Sequence, residues 1–203
     1  QSSAKRRAAL LEEIAPLLQH YYEKLSMGRE KVALHYETEA LRVDFPEYFL
    51  RLRQKDFVTK NSNAGIHKDD FEFQIDGHPL RKLGSQGQQK SFIIALKLAQ
   101  FALYEKAKGE KPLLLLDDIF DKLDEERIGM LMQLVSQGNF GQLFITDARP
   151  ERSMEILNRL DTEVAFFYLE NGQVLSQETW FAFSANLFLS LVKITKKIVR
   201  NIL

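Results

Sequence analysis

Four consecutive leucines followed by two aspartates, residues 113–118, constrain the fold of this chain more than any other segment. A continuous apolar run of this length, preceded by Gly109 and Pro112, is typical of a strand buried on both faces of a parallel sheet. The two carboxylates mark the carboxyl end of that strand. Since such sheets carry helices on both faces, the run indicates an α/β fold.

The segments that follow this strand continue the alternation of strands and helices. We predict a short helix at residues 125–137, a buried strand at 142–146, a helix at 151–160 and a strand at 164–174. The order β-α-β-α-β predicts a doubly wound α/β layer.

The first half of the chain has a different texture. Apolar residues recur at three- and four-residue steps over residues 8–25, which predicts an amphipathic helix. Residues 31–38 alternate as in a strand, and a proline opens a second predicted helix at 46–57. The polar, glycine-containing segment 59–70 predicts a loop that leads into a strand at 71–75.

Composition excludes several classes of site and partner. The chain has 203 residues, 45% of them hydrophobic, which is enough for a buried core. Lys plus Arg equals Asp plus Glu at 28 each, so bulk charge does not indicate nucleic acid or membrane. The absence of cysteine excludes disulfides, thiolate zinc sites and cysteine nucleophiles. The charged opening at Gln1 lacks the features of a secretory signal, so we expect an internal start and a cytoplasmic protein.

The final segment, residues 178–203, is apolar and then basic. Its uncharged run is shorter than the roughly 18 residues that a spanning helix requires. We expect an amphipathic or core-capping helix and no stable membrane partner. The alternative is interfacial membrane contact through a set of four cations, Lys193, Lys196, Lys197 and Arg200.

A glycine-spaced loop, GSQGQQKS at residues 84–91, precedes a long apolar segment predicted as a buried helix. Glycines let backbone amides approach a ligand, the Ser85 hydroxyl adds a donor, and a helix amino terminus favours an anion. These properties fit a phosphate group. The loop is equally consistent with a plain turn that caps the helix.

The carboxylates at the end of the leucine strand suggest metal chemistry. Mg²⁺ prefers one or two carboxylates together with waters and phosphate oxygens, so Asp117 is a candidate ligand. Asp118 beside it could orient or deprotonate an attacking water. An ordinary strand ending in an acidic turn gives the same pattern.

The order of these features resembles ABC-type ATPases. GSQGQQKS resembles the ABC signature motif, LLLLDD resembles Walker B, and DKLDEER resembles the D-loop with Asp124 as its aspartate. Within that superfamily the chain is similar to the RecF family, through GIHKDDFEF, GSQGQQKS, ALKLAQ and the Asp-Asp pair in Walker B. The resemblance covers about residues 10–174.

The resemblance implies the carboxy-terminal part of an ABC-type P-loop NTPase head, with a signature-helix lobe and parallel sheet layers. Such a part is incomplete without its amino-terminal half. Residues 1–70 would form an arm-like helical lobe, residues 71–177 the ATPase core part, and residues 178–203 a tail of uncertain status.

The resemblance also implies roles for individual residues. Asp117 would ligate magnesium and Asp118 would be the catalytic carboxylate. Ser85, Gly87 and Gln88 would contact the γ-phosphate of an ATP held by a partner subunit.

By resemblance, the whole protein would be an ATP-driven homodimeric clamp on double-stranded DNA and a weak DNA-dependent ATPase. It would act with RecO and RecR to load recombinase at gaps, in DNA replication, recombinational repair and the SOS response. The alternatives are another SMC-like ABC head, which should contain a long coiled coil, and a non-catalytic interaction module.

The chain departs from the family pattern in its phosphate-binding loop. None of the ten glycines begins Gly-x-x-x-x-Gly-Lys-Ser/Thr, so the chain alone is predicted to be inactive. Asp147 stands at the switch position where most ABC proteins have histidine. His67 is expected to make structural hydrogen bonds, and Asp69 and Asp70 to be a solvated pair rather than metal ligands.

Two basic patches are candidates for DNA contact, although acidic neighbours favour a solvated helix face for both. A sheet without its first strands should also leave an unpaired edge, so we expect self-association or a tail that covers the edge. The two patches are Lys5, Arg6 and Arg7, and Arg51, Arg53 and Lys55.

Overall fold

The structure is a computed structural model, and the fold is α/β as the leucine strand predicts. Among the described residues, the strands form one sheet of three and one of five. The structure describes residues 2–42, 44–117, 123–137, 140–158, 163–170, 172–180 and 188–194.

The chain divides into two compact units. The first comprises residues 1–23 and 28–99, and the second comprises residues 24–27 and 100–203. The predicted division into an arm-like lobe, an ATPase core part and a tail stays a prediction.

The helices lie close to the predicted segments, with two short helices added. The first predicted helix extends further toward the amino terminus, and the helix after the glycine-spaced loop begins inside that loop. The helices are α1 Ser2–Ser26, α2 Glu39–Arg42, α3 Phe45–Thr59, α4 Leu80–Leu83, α5 Gln86–Lys108, α6 Glu125–Ser136 and α7 Pro150–Leu157.

The strands confirm most of the sequence prediction, and the region 164–174 is the exception. Residues 163–170 and 173–180 form two antiparallel strands instead of one strand, and the Asn-Gly dipeptide between them in the sequence is typical of tight hairpin turns. The strands are β1 Val32–Glu37, β2 Asp70–Ile75, β3 His78–Pro79, β4 Leu113–Asp117, β5 Gln142–Thr146, β6 Glu163–Glu170, β7 Gln173–Trp180 and β8 Phe188–Ile194.

In the first unit, α1 buries one apolar face, including Leu18 and Tyr22. The rings of Tyr22 and Phe73 flank Phe92 of α5, with centroids 6.3 and 5.0 Å from the Phe92 ring. Strands β1, β2 and β3 form an antiparallel sheet in that order. Asp76 and Gly77 have φ values of 46° and 78° in the β2–β3 turn, as a two-residue type I′ hairpin requires.

In the second unit, the sheet order is β4-β5-β8-β6-β7. β4 and β5 pair in parallel, β8 is parallel to β5 and β6, and β7 is antiparallel to β6. The succession β4-α6-β5-α7-β6 therefore confirms the predicted alternation. Strand β8 lies between β5 and β6 in this sheet.

The prediction that the leucine strand is buried on both faces is wrong. Leu114 is 3% exposed, but Leu113 and Leu115, on the other face, are 58% and 71% exposed. β4 is the first strand in the sheet order and pairs with β5 alone among the described strands. The apolar run correctly predicts a strand. Whether both faces of that strand are buried depends on the elements that cover them, and the sequence of the strand does not specify those elements.

The prediction of a helix in the tail is also wrong for the residues that the structure describes. β7 extends to Trp180, and Phe188–Ile194 form β8 inside the sheet. A tail that covers the sheet edge was expected, but β8 lies between β5 and β6 instead. The cations Lys196, Lys197 and Arg200 lie outside the described residues. In the described part of the chain, no helix is long and apolar enough to cross a membrane.

The open edge at β4 leads to a testable prediction. We expect the chain to self-associate, because β4 is an apolar edge strand among the described strands and offers unpaired backbone groups to another copy. Leu115→Lys should shift the equilibrium toward monomer in sedimentation velocity over a concentration series, since a charge on an edge strand opposes strand pairing. Leu175→Lys is the matched control, because Leu175 is 61% exposed on β7 at the opposite edge. A wild-type chain that stays monomeric would contradict the prediction.

Candidate functional site

The glycine-spaced loop forms a capping box at the start of α5. The Ser85 backbone N–H donates to Gln88 Oε1 at 2.7 Å, and the Gln88 backbone N–H donates to Ser85 Oγ at 3.2 Å. This reciprocal pair is the Ser-x-x-Gln arrangement that satisfies two helix-terminal donors. The cap expected as an alternative is therefore present, and Ser85 and Gln88 form it.

The capping box leaves part of the helix terminus for a ligand. The first four N–H groups of a helix have no intrahelical partner, and Ser85 Oγ accepts from the Gln88 N–H. The N–H groups of Gln86 and Gly87 come before it in the first turn. Two adjacent backbone donors at the positive end of a 23-residue helix suit an anion such as phosphate.

Gly84, the first residue of the loop, is required because it packs closely against Leu80. A Cβ added there would lie 2.7 Å from the Leu80 carbonyl oxygen, closer than real Cβ contacts allow. The Gly84 carbonyl also accepts a hydrogen bond of 2.9 Å from Gln89 Nε2. The loop is thus held against α4 by backbone contacts.

Glu30 is a residue of this site that we did not predict from sequence. Its Oε1 accepts from Gln88 Nε2 at 3.0 Å, and its Oε2 accepts from the Tyr22 hydroxyl at 2.6 Å. It is 58 residues away from Gln88 in the sequence. No local pattern could have associated these residues, because the contact forms only when α1 packs beside α5 within the first unit.

In the second unit, Asp117 lies at the carboxyl end of β4 and is exposed. It is the register partner of Thr146 in β5, and Thr146 Oγ1 donates a short hydrogen bond to Asp117 Oδ1. An exposed carboxylate at a strand end fits a Mg²⁺ ion that takes its other ligands from water and phosphate. No group of three or more His, Cys, Asp or Glu suited to a metal occurs among the described residues. Asp118, the predicted catalytic carboxylate, lies outside them.

Asp124, the predicted D-loop aspartate, is the N-cap of α6. Its Oδ1 accepts from the Arg127 backbone N–H at 2.8 Å, and its Oδ2 lies 3.4 Å from Arg127 Nε. Its side chain is 61% exposed. Asp124 therefore orders the start of α6 while part of its carboxylate faces solvent.

Asp147, at the predicted switch position, is buried with 4% exposure. The Ser153 hydroxyl donates to Asp147 Oδ2, whereas Oδ1 is buried without a hydrogen-bond partner among the described residues. Asp147 directly follows Thr146 at the end of β5, so it lies near the Asp117 end of the sheet. A buried carboxylate with one unsatisfied oxygen is unfavourable, and such groups often mark functional positions.

In the loop before β2, His67 and Asp69 make contacts that stabilise the fold. The His67 ring bonds the Ser62 carbonyl at 3.0 Å, which confirms a structural hydrogen bond. The expected solvated Asp pair is wrong for Asp69, whose side chain is 3% exposed and lies 3.2 Å from Arg7. Burial, and then the hydrogen bond that the Tyr36 hydroxyl donates to Asp69, raise the pKa of Tyr36 above its usual value.

The predicted residues therefore fall into two groups. Ser85, Gly87 and Gln88 lie together in the first unit. Asp117 and Asp147 lie at adjacent strand ends in the second unit, and Asp124 caps a helix of the same unit.

Comparison with curated proteins gives a consistent result. The chain is 44% identical over 171 residues to DNA replication and repair protein RecF of Cytophaga hutchinsonii, which covers 84% of this chain and 45% of that protein. It is 43% identical to RecF of Flavobacterium johnsoniae and 40% identical to RecF of Parabacteroides distasonis, over 83% and 86% of this chain. The chain spans about half the length of these relatives, in their carboxy-terminal part. No protein-family model matches the chain.

Solved structures give the same fold. The recombination mediator protein RecF-ATPrS in the RecFOR pathway matches 70% of this chain and 40% of its own, with TM-score 0.59 and 27% identity. An SMC ATPase structure, from work on ATP-driven dimerization and DNA-stimulated activation, matches 87% of this chain with TM-score 0.54 and 14% identity. The chain thus has the α/β fold of part of an ABC ATPase head. By identity over most of its length and by fold, it belongs to the RecF family of DNA replication and repair proteins.

Proposed function

We propose that this chain supplies the signature loop and the magnesium-binding strand of an ATP-driven DNA-repair ATPase. The observation that carries the proposal is the capping box at Ser85 and Gln88, which leaves the N–H groups of Gln86 and Gly87 for an anion. The loop belongs to a chain whose relatives are named DNA replication and repair protein RecF.

The ligand in this proposal is the γ-phosphate of ATP bound to a second polypeptide. Ser85, Gly87 and Gln88 would form the surface that meets it. At a different nucleotide, held by the Walker A half of the same subunit, Asp117 would hold Mg²⁺ and Asp118 would orient or deprotonate the attacking water. Asp124 and Asp147 would act as the D-loop and switch residues.

The wider function that we propose is a homodimeric clamp that closes on double-stranded DNA when ATP binds. The clamp would cooperate with RecO and RecR to load recombinase at gaps in the cytoplasm. Among the DNA candidates, Arg7 donates to Ile66 O at 2.9 Å and pairs with Asp69, so it serves the fold. Lys5 and Arg6 are exposed on the same helix and are better candidates for phosphate contact.

The experiment that tests this function combines the chain with a separately expressed amino-terminal half that carries a Walker A loop. We expect ATP-dependent association and ATP hydrolysis on duplex DNA in the mixture, and neither with the chain alone. Asp118→Asn should abolish hydrolysis because the amide cannot accept the proton of the attacking water. Glu170→Gln, at an exposed carboxylate ending β6, is the matched control and should leave turnover unchanged.

A non-catalytic interaction module is the second candidate, favoured by the absence of a Walker A sequence in the chain. Association without ATP dependence, and without turnover, would support that candidate. Folded halves that do not associate under any condition would overturn the ATPase proposal.

A further inference from the structure

Glu30 joins α1 to the first turn of α5 within the first unit. One carboxylate oxygen accepts from Gln88 Nε2 at 3.0 Å, and the other accepts from the Tyr22 hydroxyl at 2.6 Å. Tyr22 is fully buried, and its ring packs against Phe92 of α5. A rigid core residue therefore fixes the position of the carboxylate.

The Gln88 side chain is engaged at both ends. Its Oε1 accepts from the Ser85 backbone N–H, and its Nε2 donates to Glu30. An amide group can rotate to exchange its oxygen and nitrogen, but an ionised carboxylate only accepts hydrogen bonds. Glu30 therefore selects the orientation in which the amide oxygen of Gln88 faces Ser85.

We propose that Glu30 is a positioning residue for the nucleotide-binding loop and acts through Gln88. With the amide fixed, the Ser85 N–H is capped and the loop keeps the geometry that presents the N–H groups of Gln86 and Gly87 to phosphate. This proposal rests on the proposed function. It assigns Gln88 the role of orienting the loop, in addition to the phosphate contact that the family resemblance implies.

The first experiment measures loop order in the isolated chain by amide hydrogen exchange in NMR. In Glu30→Ala, the Ser85 amide should exchange roughly tenfold faster, because the hydrogen bond that holds its acceptor is lost. Glu30→Gln should have a smaller effect, since its amide oxygen still accepts. The matched control is Glu12→Gln, which changes an exposed carboxylate on α1 and should not alter exchange at Ser85.

A residue swap separates loop orientation from general stability. In the double variant E30Q/Q88E, the amide at position 30 can donate to the carboxylate at position 88, which can still accept from the Ser85 N–H. Ser-x-x-Glu is itself a capping box. The swap should restore slow exchange at Ser85. Q88E alone should not give slow exchange, because it places two carboxylates together. Equal exchange at Ser85 in wild type and Glu30→Ala would overturn the proposal.

The second experiment measures ATP-dependent association with the Walker A half. For Glu30→Ala, the ATP concentration for half-maximal association should rise roughly tenfold. The swap should not restore it, because a carboxylate at position 88 repels phosphate at the helix terminus. If the wild-type mixture associates normally and Glu30→Ala has the same ATP dependence, the proposed role of Glu30 is overturned but the proposed function is not. A wild-type mixture that never associates would instead overturn the proposed function and, with it, any nucleotide role for Glu30.

Discussion

Phe92→Ala is expected to lower the free energy of unfolding of the first unit by about 3–5 kcal/mol. Phe92 is 1% exposed, and its ring lies between those of Tyr22 and Phe73. Truncation removes buried apolar surface and two aromatic contacts, and it leaves a cavity that three different elements line. The same change should loosen the Tyr22 hydroxyl that supports Glu30.

The measurement is urea unfolding followed by far-ultraviolet circular dichroism. The matched control is Ile93→Ala, because Ile93 is the next residue of α5 and is 56% exposed. The control should change stability by about 0.5 kcal/mol or less. Similar unfolding midpoints for both variants would contradict the assignment of Phe92 to the core.

Asp117→Asn is expected to reduce ATP turnover of the reconstituted mixture by roughly 100-fold or more, since metal ligands stabilise transition-state charge by several kcal/mol. The substitution removes the negative charge that would hold Mg²⁺. It keeps a side-chain oxygen that can still accept from Thr146, so β4 and β5 should remain paired. A large loss of turnover with little change in stability is the expected combination.

Three observations make the Asp117 test specific. Raising the Mg²⁺ concentration should partly restore turnover in Asp117→Asn, because a weakened metal site is filled by mass action. Thr146→Val should have a smaller effect, since it removes the donor to Asp117 and leaves the carboxylate. Unchanged turnover in Asp117→Asn, beside an active wild-type mixture, would show that Asp117 is not a magnesium ligand.

Local patterns predicted the elements well where one period dominates a segment. The helical period of α1, the five-residue strand β5 and the proline at the start of α3 all correspond to observed elements. The Asn-Gly dipeptide after β6 is a local signal for the hairpin with β7. The sequence motifs also located the glycine-spaced loop and Asp117 at the end of β4, because each motif consists of contiguous residues.

Contacts between distant segments could not be read in the same way. Glu30 contacts Gln88, and Arg7 contacts Asp69, only because α1 packs beside later elements of its unit. Asp147, at the predicted switch position, directly follows β5. Its hydrogen-bond partner Ser153 is supplied by α7. In each case the two residues lie on different elements. Residue spacing within one helix or strand therefore cannot predict the contact.

The sequence by itself determined the α/β alternation, the family and the positions of the loop and carboxylates, because hydrophobic period and contiguous motifs are local properties. Only the tertiary structure decided that Leu113 and Leu115 are exposed, that the tail strand β8 lies between β5 and β6, and that Glu30 contacts Gln88. Burial and strand order depend on which surfaces meet after the chain folds. The free energy of each such contact depends on both segments that form it, so it cannot be predicted from the sequence of either segment alone.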